Sequence, residues 1–70
     1  MSLMDAHNGK EYIITRINTG DPALEAFLFS LGCYSGEPIT VVSRRGKHCT
    51  VSIKDGRYNI DSELAKAIMI

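Results

Sequence analysis

The soft metal ligands of this chain are two histidines and two cysteines. They are His7, Cys33, His48 and Cys49. His48 and Cys49 are adjacent in a strand pattern, so their side chains point to opposite faces and cannot converge on one ion. None of the spacings is that of a zinc or iron site. We therefore expect no metal site and interpret these residues as structural, with both cysteines as small buried thiols.

Little in the sequence supports catalysis. Cys33 follows the C-terminal end of a predicted helix, and that end of a helix disfavours a thiolate. Gly32 and Gly36 come after the same helix, whereas a phosphate-binding loop precedes a helix and requires Gly-Lys-Ser/Thr. We expect a protein that is not an enzyme and that uses no cofactor.

Basic residues cluster at one predicted turn, where Arg44, Arg45 and Lys47 stand beside His48. Such a cluster indicates contact with an anionic surface of a partner protein, contact with nucleic acid, or a solvated turn that keeps edge strands from pairing. The formal net charge is zero and aromatic residues are few, which disfavours nucleic acid. A protein contact or plain solubility is the favoured interpretation. Residues 1–43 are mainly acidic and the remainder mainly basic, which would orient a charged partner.

Two aromatic residues near the end of the predicted helix are further candidate contact points. Phe29 lies about 100° from the nearer edge of the apolar stripe of that helix, and Tyr34 follows it closely. An outward-facing aromatic pair is typical of protein interfaces. The alternative that the rest of the fold covers Phe29 remains open.

The helix that carries Phe29 is predicted to run to about Leu31. Its apolar stripe consists of Leu24, Phe27, Leu28 and Leu31, at the spacing of one helical face. Asp21 and Pro22 form a typical helix start, with aspartate as the N-cap and proline at the first helical position. Gly32 stands where a left-handed residue ends a helix.

Most of the remaining chain is predicted to be strand. Apolar alternation indicates strands at residues 11–17, 38–45, 48–54, 58–60 and 68–70. Asp55-Gly56 predicts a two-residue hairpin turn, and Asp61-Ser62 can cap one helical turn before the last strand. Closing short strands into a barrel removes exposed edges. We predict a mainly β fold, a small SH3-like, partly open barrel of about five strands with one inserted α-helix and a short helical turn before the last strand.

The length of 70 residues allows a single domain. We expect residues 1–8 to form a flexible N-terminal segment and residues 9–70 to form the domain. The polar start is unlike a signal peptide, and no apolar run approaches the roughly 20 residues that span a bilayer. These features predict a cytoplasmic protein. Met4 could be a native start, which leaves the origin of residues 1–3 open.

A longer pattern covers residues 9–70. It comprises Gly9, Ile14-Thr15-Arg16-Ile17, Leu31-Gly32 with Gly36, the β-branched Ile39–Val42, and the tail residues Ile60, Ala65, Ile68 and Ile70. With this order the chain resembles the FeoA family of ferrous-iron transport accessory proteins. It departs from the family pattern in several places. Cys33 and Ser35 replace an apolar residue and proline, Asp61 replaces a basic residue, the helix lacks arginines, and the Gly46-Lys47 loop is short.

The resemblance implies an SH3-like accessory protein that binds and modulates a membrane ferrous-iron permease, FeoB, whose cytoplasmic part contains a GTP-hydrolysing domain. The chain would then be found at the inner face of the membrane through this partner, with Phe29, Tyr34, Arg44, Arg45 and Lys47 as candidate contacts. One alternative is an SH3-like module that binds another protein, or itself, in metal-dependent regulation. A second, less favoured alternative is a small barrel that binds nucleic acid. The sequence does not decide the oligomeric state, which face of the chain contacts the partner, or whether the chain activates or inhibits that partner.

Overall fold

The computed structural model describes residues 1–70 as a mainly β protein with six strands and two α-helices. The strands are β1 (Glu11–Ile13), β2 (Arg16–Ile17), β3 (Pro38–Arg45), β4 (His48–Ile53), β5 (Gly56–Asp61) and β6 (Ile68–Met69). The helices are α1 (Pro22–Leu31) and α2 (Ser62–Ala67), and a 3-10 helix covers Leu3–Asp5. Strands β1-β3-β4-β5 form an antiparallel sheet in that order, and β2 pairs with β6 in a second.

Helix α1 begins and ends where its capping residues predict. An Oδ1 atom of Asp21 accepts a hydrogen bond from the Ala23 N–H at 3.0 Å, and Gly32 is left-handed with φ of 97°. Leu28 is the only residue of the helix that is buried. The predicted stripe is too wide, because Phe27 is 50% exposed. The helix meets the barrel along a narrow line centred on Leu28, and Phe27 lies at the edge of that line.

The predicted strand over residues 11–17 is two strands in the structure. β1 pairs with β3 in the main sheet and β2 pairs with β6 in the other, so the chain changes sheets between them. At the crossing, the Ile14 N–H donates to the Glu37 carbonyl at 2.9 Å, and its side chain is fully buried. Ile13, the residue just before the crossing, is 52% exposed.

The two hairpins of the main sheet turn at opposite ends of β4. β3 and β4 are joined by Gly46 and Lys47, as predicted. The β4–β5 turn is one residue earlier than predicted, since Ile53 pairs with Gly56 and the turn consists of Lys54 and Asp55. The absence of a side chain at Gly56 makes room for Tyr58, because a Cβ there would lie 2.5 Å from the Tyr58 hydroxyl and the ring would have to shift.

The N-terminal segment packs onto the barrel, in contrast to the flexible segment predicted for residues 1–8. Leu3 is fully buried. An Nη2 atom of Arg44 donates to the carbonyls of Leu3 at 2.9 Å and Ala6 at 2.8 Å, and the Gly9 N–H donates to Val41. The segment is ordered because Leu3 completes the core and because Arg44 donates to two of its carbonyl groups. The Ala6 carbonyl has no backbone donor, whereas the Leu3 carbonyl also accepts the Ala6 N–H.

The core lies between the two sheets, the 3-10 helix and the helices. Its fully buried large side chains are Leu3, Ile14, Leu28, Ile39, Ile53, Ile60 and Ile68, with Val41 and Val51. Cys33 and Cys49 belong to the same cluster and are free thiols, as the sequence predicted. No charged or polar side chain is buried.

Candidate partner-binding surface

Both phenylalanines of the chain lie on α1, and both are exposed. Phe27 is 50% and Phe29 is 64% exposed, while Leu28 between them is fully buried. Successive helical residues are about 100° apart, so the two phenylalanines lie on either side of the line along which α1 docks. The structure therefore decides between the two alternatives for Phe29: the barrel does not enclose it, because 64% of the residue is exposed.

Helix α1 is apolar on more of its surface than the barrel can bury. Its sequence is PALEAFLFSL, and Glu25 is its only charged residue. A helix that is apolar on all sides is normally enclosed on all sides, whereas here one side meets the barrel and the rest faces solvent. Contiguous exposed apolar surface of this kind marks interaction sites.

Phe29 and Tyr34 form an aromatic pair at the end of the helix. Their ring centroids are 5.0 Å apart with a tilt of 36°, a favourable arrangement for two aromatic rings. We call Phe29 and Tyr34 the aromatic patch. Phe29 separates two clefts. One of about 570 Å³ lies between the helix end and the β4–β5 turn, and one of about 410 Å³ lies along the first turns of α1.

Lys54 fixes the position of Tyr34. Its Nζ lies 3.2 Å from an Oε2 atom of Glu37 and 5.1 Å from the centroid of the Tyr34 ring. Hydrogen bonding to Tyr34, followed by hydrogen bonding to Glu37, raises the pKa of Lys54 above its usual value, so the side chain stays charged at neutral pH. Lys54 has a positive φ of 52°, which is uncommon for a residue other than glycine. The patch is thereby preorganised, which lowers the entropic cost of binding.

The structure does not bring the aromatic patch and the basic turn together. Arg45 and Lys47 are exposed, together with His48, at the β3–β4 turn. Tyr34 and Lys54 lie at the other end of β4. Six strand residues span about 20 Å, so the predicted contact residues fall into two separate surfaces. Arg44 belongs to neither, since its guanidinium holds the N-terminal segment.

The histidines, cysteines and carboxylates do not gather at one metal-binding position. No group of three or more His, Cys, Asp or Glu side chains is placed to hold a metal ion. Burial raises the pKa of the Cys33 thiol to about 11. Burial also raises the pKa of Cys49, against an opposing effect of the Arg44 charge. Both thiols are therefore protonated at neutral pH and are weak nucleophiles.

Neither helix is both long enough and apolar enough to cross a membrane.

The prediction from the sequence differs from the structure at three residues. It places Phe27 in the core stripe, whereas that side chain is half exposed. It does not include Lys54 or Tyr58, which line the cleft between the helix end and the β4–β5 turn. Phe27 could have been recognised from the near absence of charge along α1, because a helix of this length cannot bury every side against a barrel this small. Lys54 and Tyr58 depend on tertiary packing between the helix end and the β4–β5 turn, which leaves no local pattern.

Comparison with known families gives one match along the whole chain, the FeoA domain, over residues 1–70. Comparison with curated proteins finds no match.

Several solved structures share the fold. A manganese-dependent transcriptional repressor is 24% identical with a TM-score of 0.88, over 97% of this chain and 39% of the repressor. FeoA of Stenotrophomonas maltophilia, complexed with zinc and described as a procaryotic SH3 domain protein, is 19% identical with a TM-score of 0.88, over 99% and 87% of the two chains. An iron uptake regulatory protein, also FeoA, is 23% identical with a TM-score of 0.86, and the match covers 97% of this chain and 91% of that protein. The chain thus spans about two fifths of the repressor, and the predicted SH3-like fold is confirmed.

Proposed function

The chain belongs to the FeoA family, an accessory family of ferrous-iron transport, and on that basis we propose that it binds and modulates a membrane ferrous-iron permease of the FeoB type. FeoA domains are small SH3-like accessory domains and not a known enzyme family. The proposed partner surface is the cytoplasmic part of the permease that contains its GTPase domain. In this proposal the chain acts in the cytoplasm, at the inner face of the membrane, and contributes binding without catalysis.

The observation that carries the proposal is the exposure of both phenylalanines on α1. Fully burying a phenylalanine side chain contributes about 1.5–3 kcal/mol, so a partner that encloses Phe29 gains a substantial part of its affinity there. The clefts on either side of Phe29 make the residue a ridge that an apolar groove can receive. Because Lys54 holds Tyr34 against Phe29, little order has to be created on binding.

Phe29→Ala is expected to weaken binding to the cytoplasmic domain of the permease about 10- to 30-fold, mainly through faster dissociation, because a buried aromatic anchor sets the lifetime of a complex. Surface plasmon resonance with the immobilised permease domain measures both rate constants. The folded state should be nearly unaffected, since the side chain makes few contacts within the protein.

The matched control is Met4→Ala, which truncates a residue 39% exposed that lines a small cavity beside Gly46 and Lys47, at the basic end of the molecule. It should bind like wild type. Equal affinity of Phe29→Ala and wild type would show that the aromatic patch is not the contact surface. Absence of binding by wild type itself would contradict the permease as partner.

Reversing the charge of the basic turn should change the rate of association with the permease domain. We expect Arg45→Glu combined with Lys47→Glu to slow association several-fold at low salt and to flatten its salt dependence, with dissociation unchanged, because exposed rim charges mainly steer encounter. The same sensor at a series of ionic strengths gives this dependence. Association that is equally fast and equally salt-dependent in the variant would mean that the basic turn does not face the partner.

The same binding measurements separate the alternative functions. Binding to another protein but not to the permease would favour an interaction module in metal-dependent regulation. Salt-dependent binding to nucleic acid that is lost in the Arg45 and Lys47 variant would favour a nucleic-acid-binding barrel.

A further inference from the structure

The main sheet has two edges, and they differ in length. β1 is three residues long, whereas β5 is six residues long at the other edge. Natural proteins usually blunt an exposed edge with charged side chains, a proline, a bulge or a covering element. β5 carries the charged residues Arg57 and Asp61, but their charges are opposite in sign. β5 contains no proline, and its register with β4 is continuous from Gly56 to Asp61. The β5 edge is therefore competent to pair with another strand.

The register of the β4–β5 hairpin shows which backbone groups face outward. Ile53 and Gly56 flank the two-residue turn, and residues in that position exchange both hydrogen bonds. The pattern alternates along the ladder, so Arg57 and Asn59 occupy pairs without hydrogen bonds, and their N–H and C=O groups point away from β4. Neither residue takes part in any backbone hydrogen bond outside the ladder.

The side chains along this edge are complementary to themselves. Arg57, Asn59 and Asp61 are exposed and alternate with more buried residues, so they share one face. They are positive, neutral and negative in that order. In an antiparallel pairing centred on Asn59, Arg57 of each copy faces Asp61 of the other, and opposite charges directly across a strand pair are favourable. Centring the pairing on Tyr58 instead would place Asp55 opposite Asp61, which is unfavourable.

From this arrangement we propose that β5 is a self-association edge, at which a second copy of the chain pairs antiparallel about a two-fold axis at Asn59. Asp61 keeps its role at the start of α2, because its Oδ1 accepts the Leu64 N–H at 2.9 Å and its Oδ2 remains free for Arg57. One strand pair buries less than the roughly 1,200–2,000 Å² of a stable interface. The dimer is accordingly weak, reversible and dependent on protein concentration. It uses neither Phe27 nor Phe29.

Sedimentation equilibrium of the wild-type protein from micromolar to millimolar concentration tests this proposal, and we expect a monomer–dimer equilibrium that weakens as salt is added. Arg57→Asp places like charges across both ends of the pairing and should give a monomer at every concentration. Arg16→Asp, an equal charge change on the exposed part of β2, is the matched control and should dimerise like wild type.

Asn59→Pro tests the backbone component separately. It removes an outward N–H without removing a hydrogen bond of the β4–β5 ladder, so a variant whose thermal unfolding shows an intact fold should be monomeric. A monomeric wild type at all concentrations, or a dimer that persists in folded Asn59→Pro, would overturn the proposal. If wild type is monomeric and Asn59→Pro loses binding to the permease domain, the edge accepts a strand of that partner and the second copy is excluded. Any of these results leaves the Phe29 measurement unchanged.

Discussion

Leu28→Ala is expected to lower the free energy of unfolding by about 2–5 kcal/mol, the usual cost of truncating a fully buried leucine. Leu28 is fully buried and is the only buried residue of α1, so the docking of the helix depends on it. Domains of this kind have a total stability of about 5–15 kcal/mol, and the substitution removes a large share. Urea unfolding followed by circular dichroism measures the loss.

Phe27→Ala is the matched control for this substitution, because it removes a larger apolar side chain from the neighbouring position of the same helix. Phe27 is half exposed, and we expect its truncation to change stability by less than about 1 kcal/mol. A loss at Phe27 equal to that at Leu28 would mean that α1 packs along the wide stripe predicted from the sequence and not along the narrow line in the structure.

Elements whose signals are local could be predicted from the sequence. The start and end of α1 follow from Asp21 and Gly32, since capping depends only on residues within one turn. The β3–β4 hairpin and the capped helical turn at Asp61 were predicted for the same reason. The SH3-like fold followed from the order of these elements together with the family pattern.

Features that depend on distant contacts could not be predicted. The order of the N-terminal segment rests on hydrogen bonds between Arg44 and carbonyls 38 and 41 residues earlier in the chain. The division of the predicted strand at Ile14 rests on hydrogen bonds to the Gly36–Glu37 turn. Neither contact leaves a periodic pattern near the residues it orders.

The candidate contact residues illustrate the same limit. Their identity could be predicted, because exposed aromatic and basic residues are typical of interfaces. Their arrangement could not, because it depends on which end of β4 receives the end of α1. Packing of Tyr34 against Lys54 places the aromatic patch at the β4–β5 turn, and the basic turn is thereby left at the other end. In the proposed function, the basic turn attracts the partner from a distance and the aromatic patch holds it in the complex. The Arg45/Lys47 variant tests the first surface and the Phe29 variant tests the second.

Arg44→Met is expected to lower the free energy of unfolding by about 2–4 kcal/mol. Hydrogen bonds to a charged group contribute about 1.5–3 kcal/mol each, and this substitution removes two while it keeps most of the side-chain volume. The expected loss is below their sum, because one Nη2 atom donates both bonds and the Leu3 carbonyl keeps the Ala6 N–H as a second donor. The Ala6 carbonyl loses its donor and the Leu3 carbonyl keeps only the Ala6 N–H, so residues 1–8 should detach more often and expose the buried Leu3. Urea unfolding measures the stability, and limited proteolysis should show faster cleavage within residues 1–8.

Arg45→Met is the control for Arg44→Met, since it removes the same charge from the next residue, whose side chain is exposed. Its effect on stability should stay within about 0.5 kcal/mol, with cleavage of residues 1–8 unchanged. Equal effects of the two substitutions would show that Arg44 does not hold the N-terminal segment. The same contrast explains why charge reversal at the basic turn is best confined to Arg45 and Lys47: reversing Arg44 would place a carboxylate against two carbonyl oxygens, and any loss of binding would then report unfolding of the N-terminal segment instead of lost steering.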